Sequence, residues 1–162
     1  MTIDPFPKFI ERLLGHEGGY VNDPRDPGKE TKWGISKRSY PNLDIANLTR
    51  DQAIAIYRLD FWDRGKLADL PPNVAFQVLD GAVNSGLARG VQWLQQSAGV
   101  PADGLIGPKT RAAIAAADKN DLVLRFLGFR LQFMTDLGTW DSFGKGWARR
   151  IATNLLYGAE DN

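Results

Sequence analysis

The chain has 162 residues, which is enough for one domain with a sizeable core and too few for two well-separated domains. Its 20 Lys and Arg residues balance 19 Asp and Glu residues, so the net charge gives no argument for nucleic-acid binding. It contains no cysteine, which excludes a disulfide framework and a thiolate metal site and makes folding independent of the redox compartment.

The first predicted element is a helix that carries an acid on its apolar face. Apolar residues recur there at helical spacing, namely Phe6, Phe9, Ile10, Leu13 and Leu14. The next position on this face is Glu17. Asp4 and Pro5 form a helix start signal, and Gly18 and Gly19 end the helix directly after the acid. Burial and the negative end of the helix dipole both disfavour a carboxylate, so we expect a raised pKa for Glu17, as a general acid needs.

The next segment is rich in turn-forming residues between two apolar or aromatic ends. These turn residues are Asn22, Pro24, Asp26, Pro27 and Gly28. They predict a hairpin-like excursion that also carries Asp23, Glu30 and Thr31. A helix-borne acid followed by an acid on a hairpin suits cleavage of glycosidic bonds by two groups. An ordinary helix end followed by a solvated acidic turn remains the structural alternative.

The middle of the chain predicts a capped helix. Thr49 and Gln52 have the spacing of a capping box, and the helix is expected to run to about Asp63. The residues that follow the cap at helical spacing are Ala53, Ile56, Tyr57, Asp60 and Phe61.

A buried central helix is predicted to open at Pro71 and Pro72, because apolar residues fill nearly three turns after them. Asp80 lies beside this apolar stripe. It could contact a substrate directly, or it could be an acid of the helix surface or a partner for the loop 84–86.

Three further helices are predicted after this one. The first runs from Leu87 to Gly99, a loop occupies 100–107, and Pro108 opens the second. Asn120 and Asp121 can start an apolar core helix that follows.

The last predicted helix, capped by Asp141 or Ser142, is amphipathic and basic. Its apolar line is Trp147, Ile151 and Leu155, and the cations expected to lie away from this line are Lys145, Arg149 and Arg150. Such a helix could contact the anionic outer envelope of a bacterium, or it could be a docked terminal helix with a solvated face.

Two blocks of residues together resemble glycoside hydrolase family 108, a family of bacterial and phage peptidoglycan muramidases. The first block comprises Glu17-Gly18-Gly19-Tyr20, Asn22-Asp23-Pro24, Asp26, Gly28, Thr31 and Trp33-Gly34-Ile35. The second resembles the family's C-terminal peptidoglycan-binding region and comprises 80–86, Trp93-Leu94-Gln95 and 100–110. The resemblance implies a mainly α, lysozyme-like helical body with a small β-hairpin excursion near the active site. It further implies a catalytic region at 1–86 and a peptidoglycan-binding-like helical region at 87–162, packed as one body.

The resemblance also implies roles for single residues. Glu17 matches the family's catalytic acid. Asp26 and Thr31 are similar to the second and third members of the Glu, Asp, Thr set of phage-type lysozymes. We therefore expect Asp26 to position or activate water, or to shield positive charge at the anomeric carbon, and Thr31 to help orient that water. The residues expected to bind substrate are Tyr20, Trp33, Asp80 and Asn84. The helical unit after residue 86 has no catalytic pairing of its own, and its motif residues serve either wall binding or turns and caps.

We therefore predict an endolysin, an N-acetylmuramidase that cleaves the β-1,4 bond between N-acetylmuramic acid and N-acetylglucosamine and lyses the host cell. A lytic transglycosylase and a non-catalytic wall-binding module are the alternatives. No cofactor or metal is expected, because His16 is the single histidine and prolines interrupt the acids of the turn. We expect a monomer, made in the host cytoplasm without a signal peptide of its own, that acts on peptidoglycan after release and binds no nucleic acid.

Overall fold

The structure, a computed structural model, describes residues 3–16, 19–26 and 29–162. These residues form a mainly helical body with a small antiparallel sheet near its N-terminal end. The α-helices are α1 (Phe6–His16), α2 (Arg50–Tyr57), α3 (Pro72–Ser85), α4 (Leu87–Ala98), α5 (Pro108–Ala116), α6 (Lys119–Thr135) and α7 (Trp140–Glu160). The strands are β1 (Val21–Asn22), β2 (Glu30–Lys32) and β3 (Ile35–Ser36). Among the described residues, no helix is both long and apolar enough to cross a membrane.

Helix α1 starts as its sequence predicts. The backbone N–H of Phe6 donates to the Asp4 carboxylate at 3.1 Å, which satisfies one of the amides that a helix start leaves unpaired. The apolar face is buried, and Leu13 has no exposed surface. The helix thus docks on the core through the predicted stripe, and Glu17 follows its last residue in the sequence.

The hairpin-like excursion is a sheet of three strands in the order β1-β2-β3. Thr31 in the central strand pairs with Val21 on one side and with Ser36 on the other. Trp33 and Gly34 connect β2 to β3, and both have positive φ angles, 53° and 77°. Two such residues in a row are what a two-residue hairpin with a type I′ turn requires. The third strand is an addition to the prediction.

Helix α2 has the predicted capping box: the Thr49 hydroxyl accepts from the Gln52 backbone N–H, and the Gln52 side-chain oxygen accepts from the Thr49 backbone N–H. The helical path continues to Asp63, as predicted, but its last six residues, Arg58–Asp63, have π-helical geometry. A short 3-10 turn, Leu67–Asp69, then leads to α3. A π segment within a helix often occurs at a functional site.

Helix α3 is the buried centre of the body, as predicted, and every residue from 73 to 82 is buried. It packs against α4, α6 and α7. Trp93 of α4 and Phe126 of α6 meet edge to face beside Gly81, where an added Cβ would lie 3.0 Å from the Phe126 ring. A side chain at this position would push the Phe126 ring away by a few tenths of an ångström, so the close approach of α6 to α3 favours glycine here.

The starts of the last two helices differ from the predictions. Asp118 caps α6 by accepting from the backbone N–H groups of Asn120 and Asp121, so α6 begins earlier than expected. Helix α7 begins at Trp140 after Thr139, with no side-chain cap, so neither Asp141 nor Ser142 caps it. Asp141 is instead an acid of the first turn, where its negative charge interacts favourably with the helix dipole.

The C-terminal end is fastened to α1. The Arg12 guanidinium pairs with Asp161 and Glu160 and lies 4.0 Å from the centre of the Tyr157 ring. The Arg12 and Asp161 side chains are only 7% and 4% exposed. Burial alone would raise the pKa of Asp161, but the bonds from Arg12 and Lys8 outweigh it and lower that pKa. The first and last helices are thus joined by a desolvated ion pair.

Candidate active site

A cleft of about 570 Å³ opens between the sheet, the end of the α2 helical path and the junction of α3 with α4. It is an open groove lined by both polar and apolar side chains, a shape suited to a polymer strand rather than to a small enclosed ligand. The residues that line it are Asp26, Thr31, Gly34, Ile35, Ser36, Ser39, Tyr40, Tyr57, Asp60, Phe61, Arg64, Val83, Asn84, Gly86 and Leu87.

The sheet side of the cleft contains two of the predicted catalytic residues. Asp26 is half-buried and ends a turn in which its backbone N–H donates to the Asp23 carbonyl at 2.9 Å. Thr31 lies in the central strand, where hydrogen bonds on both sides fix its backbone. Asp23 itself is engaged elsewhere, because the Arg25 side chain binds it and lowers its pKa to about 2. Asp26 and Thr31 therefore share one cleft.

A second acid of the cleft, Asp60, was not recognised in the sequence as a site residue. The Tyr40 hydroxyl donates to one Asp60 oxygen at 2.7 Å, and Arg64 lies 3.5 Å from the other. Burial, together with the bond to Asp60, raises the pKa of Tyr40 well above its usual range. Tyr40 thus remains a neutral hydrogen-bond donor and orients the Asp60 carboxyl group. The available signal was an acid on the apolar stripe of a helix, the same signal that singled out Glu17.

The predicted substrate-binding residues divide between the cleft and other places. Asn84 is exposed in the last turn of α3 and lines the cleft. Trp33 instead packs against the core, and its indole N–H donates to the Leu48 carbonyl at 3.2 Å. Because the Tyr57 hydroxyl also donates to its carbonyl, Trp33 is placed to hold the β2–β3 turn rather than a sugar. Tyr20 is 46% exposed and donates to Glu30 at 2.8 Å at the edge of the sheet.

Asp80 is not available to a substrate, which corrects its assignment as a binding residue. It has no exposed surface and accepts hydrogen bonds from Arg130 at 2.7 Å, Arg150 at 2.9 Å and Asn154 at 2.7 Å. Burial would raise the pKa of Asp80, but the two arginines outweigh it and hold that pKa far below its usual range. Asp80 is neither a helix-surface acid nor a partner of the loop 84–86. It is the buried anion that joins α3 to α6 and α7.

The same cluster corrects the prediction for α7. Arg150 does not lie on the solvated face, because its side chain is only 11% exposed and pairs with Asp80. Lys145 and Arg149 are exposed as expected. Ile151 is buried, while Leu155 is 41% exposed. The basic face is therefore smaller than predicted.

The motif residues after α4 hold a loop in place. Buried Gln95 donates to the Asp103 carboxylate at 2.8 Å, the Leu105 carbonyl at 2.9 Å and the Thr110 hydroxyl at 3.1 Å. Its own carbonyl oxygen accepts from the backbone N–H of Gly104 at 2.9 Å. Gln95 thus fixes the loop 100–107 against α4, which accounts for these residues without a ligand.

Glu17 lies outside the described residues, as do Gly18, Pro27 and Gly28. The described part of the site nevertheless has a definite chemistry. It combines two carboxylic acids, a threonine hydroxyl and an exposed amide in one groove, together with a tyrosine that remains protonated. No group of three or more potential metal ligands occurs among the described residues. Carboxyl groups in a groove on a helical body are the groups that acid–base cleavage of a glycosidic bond uses.

Comparison with known families agrees with this chemistry. The family model for glycosyl hydrolase 108 matches residues 10–86, and the model described as a predicted peptidoglycan domain matches residues 89–152. The chain is also similar to a solved structure titled "Structure of Brucella abortus SagA", with 34% sequence identity and a TM-score of 0.89. The similarity covers 96% of this chain and 94% of that one. A search of curated proteins found no match.

The chain therefore belongs to glycosyl hydrolase family 108 and carries the peptidoglycan domain after it. It is a glycoside hydrolase that acts on peptidoglycan, with the mainly α, lysozyme-like fold that its sequence predicts.

Proposed function

We propose that the protein is an N-acetylmuramidase that hydrolyses the β-1,4 bond between N-acetylmuramic acid and N-acetylglucosamine. The observation that supports this most is the joint position of Asp26 and Thr31 in the cleft, within the region matched by glycosyl hydrolase 108. In this mechanism Glu17 protonates the leaving oxygen. Asp26 activates water or shields the positive charge that develops at the anomeric carbon, and Thr31 orients the water.

Hydrolysis is favoured over a lytic transglycosylase reaction by the same two residues. A transglycosylase needs one acid and excludes water, because the muramic acid's own hydroxyl attacks the anomeric carbon. Here a second carboxyl group and a hydroxyl line an open cleft, and both can hold a water molecule at the reacting carbon.

Substitution of the acid tests the proposal. Glu17→Gln removes the proton donor, so lysis of purified sacculi should fall by about 10²- to 10⁴-fold while the fold is retained. The control is Glu11→Gln in α1, because Glu11 is exposed and pairs with Arg50 at the surface. Equal activity of Glu17→Gln and Glu11→Gln would disprove the assignment.

Asp26→Asn tests the second group, with Asp23→Asn as its neighbour in the same turn. We expect a large loss for Asp26→Asn if it activates water and a smaller loss if it only shields charge. Asp23→Asn should be almost neutral, because its carboxylate is occupied by Arg25. A loss of activity in Asp23→Asn but not in Asp26→Asn would assign the second catalytic role to Asp23.

We further propose that the enzyme serves as a phage endolysin, acts as a monomer and reaches the wall after release from the host cytoplasm. The absence of cysteine supports this, because folding then does not depend on the compartment. Expression in the bacterial cytoplasm should leave cells intact until the inner membrane is permeabilised, and they should then lyse. Lysis without permeabilisation would contradict release as the control point.

A further inference from the structure

A second groove continues from the active-site cleft. It has a volume of about 470 Å³ and shares Arg64 and Leu87 with the cleft, so the two form one path along the surface. The second groove lies between the segment after the π helix, the first half of α4 and the loop 100–107. We call it the lateral groove and define it by Arg64, Lys66, Leu87, Val91, Leu105 and Ile106.

The lateral groove combines an apolar floor with positive charge. Leu105 is 72% exposed, an unusual exposure for a large apolar side chain, and it lies beside the buried Val91. Lys66 and Arg64 supply two cations; Arg64 is 70% exposed and also lies 3.5 Å from Asp60 of the adjoining cleft. None of the described residues that line the groove is acidic. Its chemistry therefore suits an anionic ligand that also presents small apolar groups.

Both walls of the groove are held in fixed positions. On one side, Gln95 bonds to Gly104 and to the Leu105 carbonyl and so holds the loop that presents Leu105. On the other, Lys66 adopts a left-handed conformation with φ of 54°, and its backbone bonds to Asp63 and Asp69. The backbone that carries Lys66 and Leu105 is thus preorganised, which lowers the entropy lost on binding.

We propose that the lateral groove binds the peptide stem of peptidoglycan, an inference that rests on the proposed function. Muramic acid carries a short peptide on its lactyl group, and this peptide has free carboxylates and alanine methyl groups. A glycan strand in the cleft would bring such a stem to the adjoining groove. Lys66 and Arg64 would then bind its carboxylates, and Leu105 would cover its methyl groups. The stem-bearing glycan, rather than bare sugar, is the preferred substrate.

Two substrates, each tested with a groove variant and a matched control variant, test the stem-binding proposal. The substrates are purified peptidoglycan and the same glycan strands after an amidase has removed the stems. The variant is Lys66→Gln/Leu105→Ser, and its control is Lys145→Gln/Leu156→Ser, because Leu156 is also 72% exposed and both pairs remove one cation. Thermal unfolding checks that both variants fold.

On stem-bearing strands the groove variant should lose about tenfold in kcat/KM through KM, the size expected for one exposed ion pair and one partly covered leucine. On stem-free strands the kcat/KM values of the groove variant, the control variant and the wild type should agree within about twofold. An equal loss on both substrates, or no loss on the stem-bearing one, would overturn the proposal.

A binding measurement separates this proposal from the proposed function. Titration of a free stem tetrapeptide should shift the NMR signals of the Leu105 methyl groups in the wild type but not in Lys66→Gln. No shift in the wild type would overturn stem binding whatever the catalytic result. A wild-type protein that cleaves neither glycan but shows the Leu105 shift would refute the muramidase assignment and still support stem binding in the lateral groove.

Discussion

Replacement of Asp80 by Asn tests whether the buried ion cluster holds the two halves of the body together. The carboxylate has no exposed surface and is bound by Arg130, Arg150 and Asn154. These partners belong to α6 and α7, so one side chain of α3 connects three helices. Asn has nearly the same size, so the change removes charge and leaves packing almost unaltered.

The expected loss of stability follows from the buried arginines that remain without a counter-ion after the substitution. Arg130 has a fully buried side chain and would lose its counter-ion, and Arg150 is only 11% exposed. Breaking a buried pair in this way costs about 3–5 kcal/mol of unfolding free energy. For a chain of this size, each kcal/mol lowers Tm by about 2–4 °C, so we expect a decrease of about 6–20 °C.

Denaturant unfolding followed by circular dichroism measures this loss, with Asp69→Asn as the control. Asp69 forms an ion pair with Arg111 at 2.9 Å, but the two side chains are 52% and 38% exposed. Exposed pairs contribute about 0–1 kcal/mol, so the control should stay close to wild type. An Asp80→Asn protein as stable as Asp69→Asn would refute the claim that this cluster holds the helices together.

Two further predictions concern charge. If α7 is a docked helix with a solvated face, Lys145→Gln/Arg149→Gln should leave both sacculus hydrolysis and the killing of intact Gram-negative cells from outside unchanged. A loss of killing alone would favour contact with the anionic envelope, where each cation contributes about 1 kcal/mol. Folding lowers the pKa values of Asp80 and Asp161, so their ionised carboxylates stabilise the folded state. This stabilisation is fully present above the ordinary carboxyl pKa of about 3.9 and is lost as the pH falls through the lower folded-state pKa values. Denaturation midpoints should thus stay level from about pH 7 to about pH 5 and drop below about pH 4, and an earlier acid loss, between about pH 7 and about pH 5, would contradict this linkage.

Features that depend on neighbours in the chain could be predicted from the sequence. The Asp4 start of α1, the capping box at Thr49 and Gln52, and the proline starts of α3 and α5 are set within a few residues. Binary patterning likewise identified α3 as the buried helix. The third strand was missed because two-residue strands are too short for an alternating pattern to appear.

Features that depend on distant partners could not be predicted. Asp80 and its arginines lie 50 and 70 residues apart in the chain, and no local pattern pairs them. Arg150 was therefore assigned to the solvated face. Tyr40 and Asp60 are 20 residues apart and meet only because the segment after β3 returns to the π helix. The acid on an apolar stripe could have drawn attention to Asp60, but not to the tyrosine that orients it.

The bond that the enzyme cleaves is tested most directly by mass spectrometry of the soluble fragments from purified sacculi, with Glu17→Gln as the inactive control. Hydrolysis by the proposed pair of carboxyl groups should release fragments that end in a free, reducing N-acetylmuramic acid. Fragments that end in 1,6-anhydro-muramic acid would identify a transglycosylase, and fragments that end in reducing N-acetylglucosamine would place the cut on the other glycosidic bond. Either result would contradict the muramidase assignment.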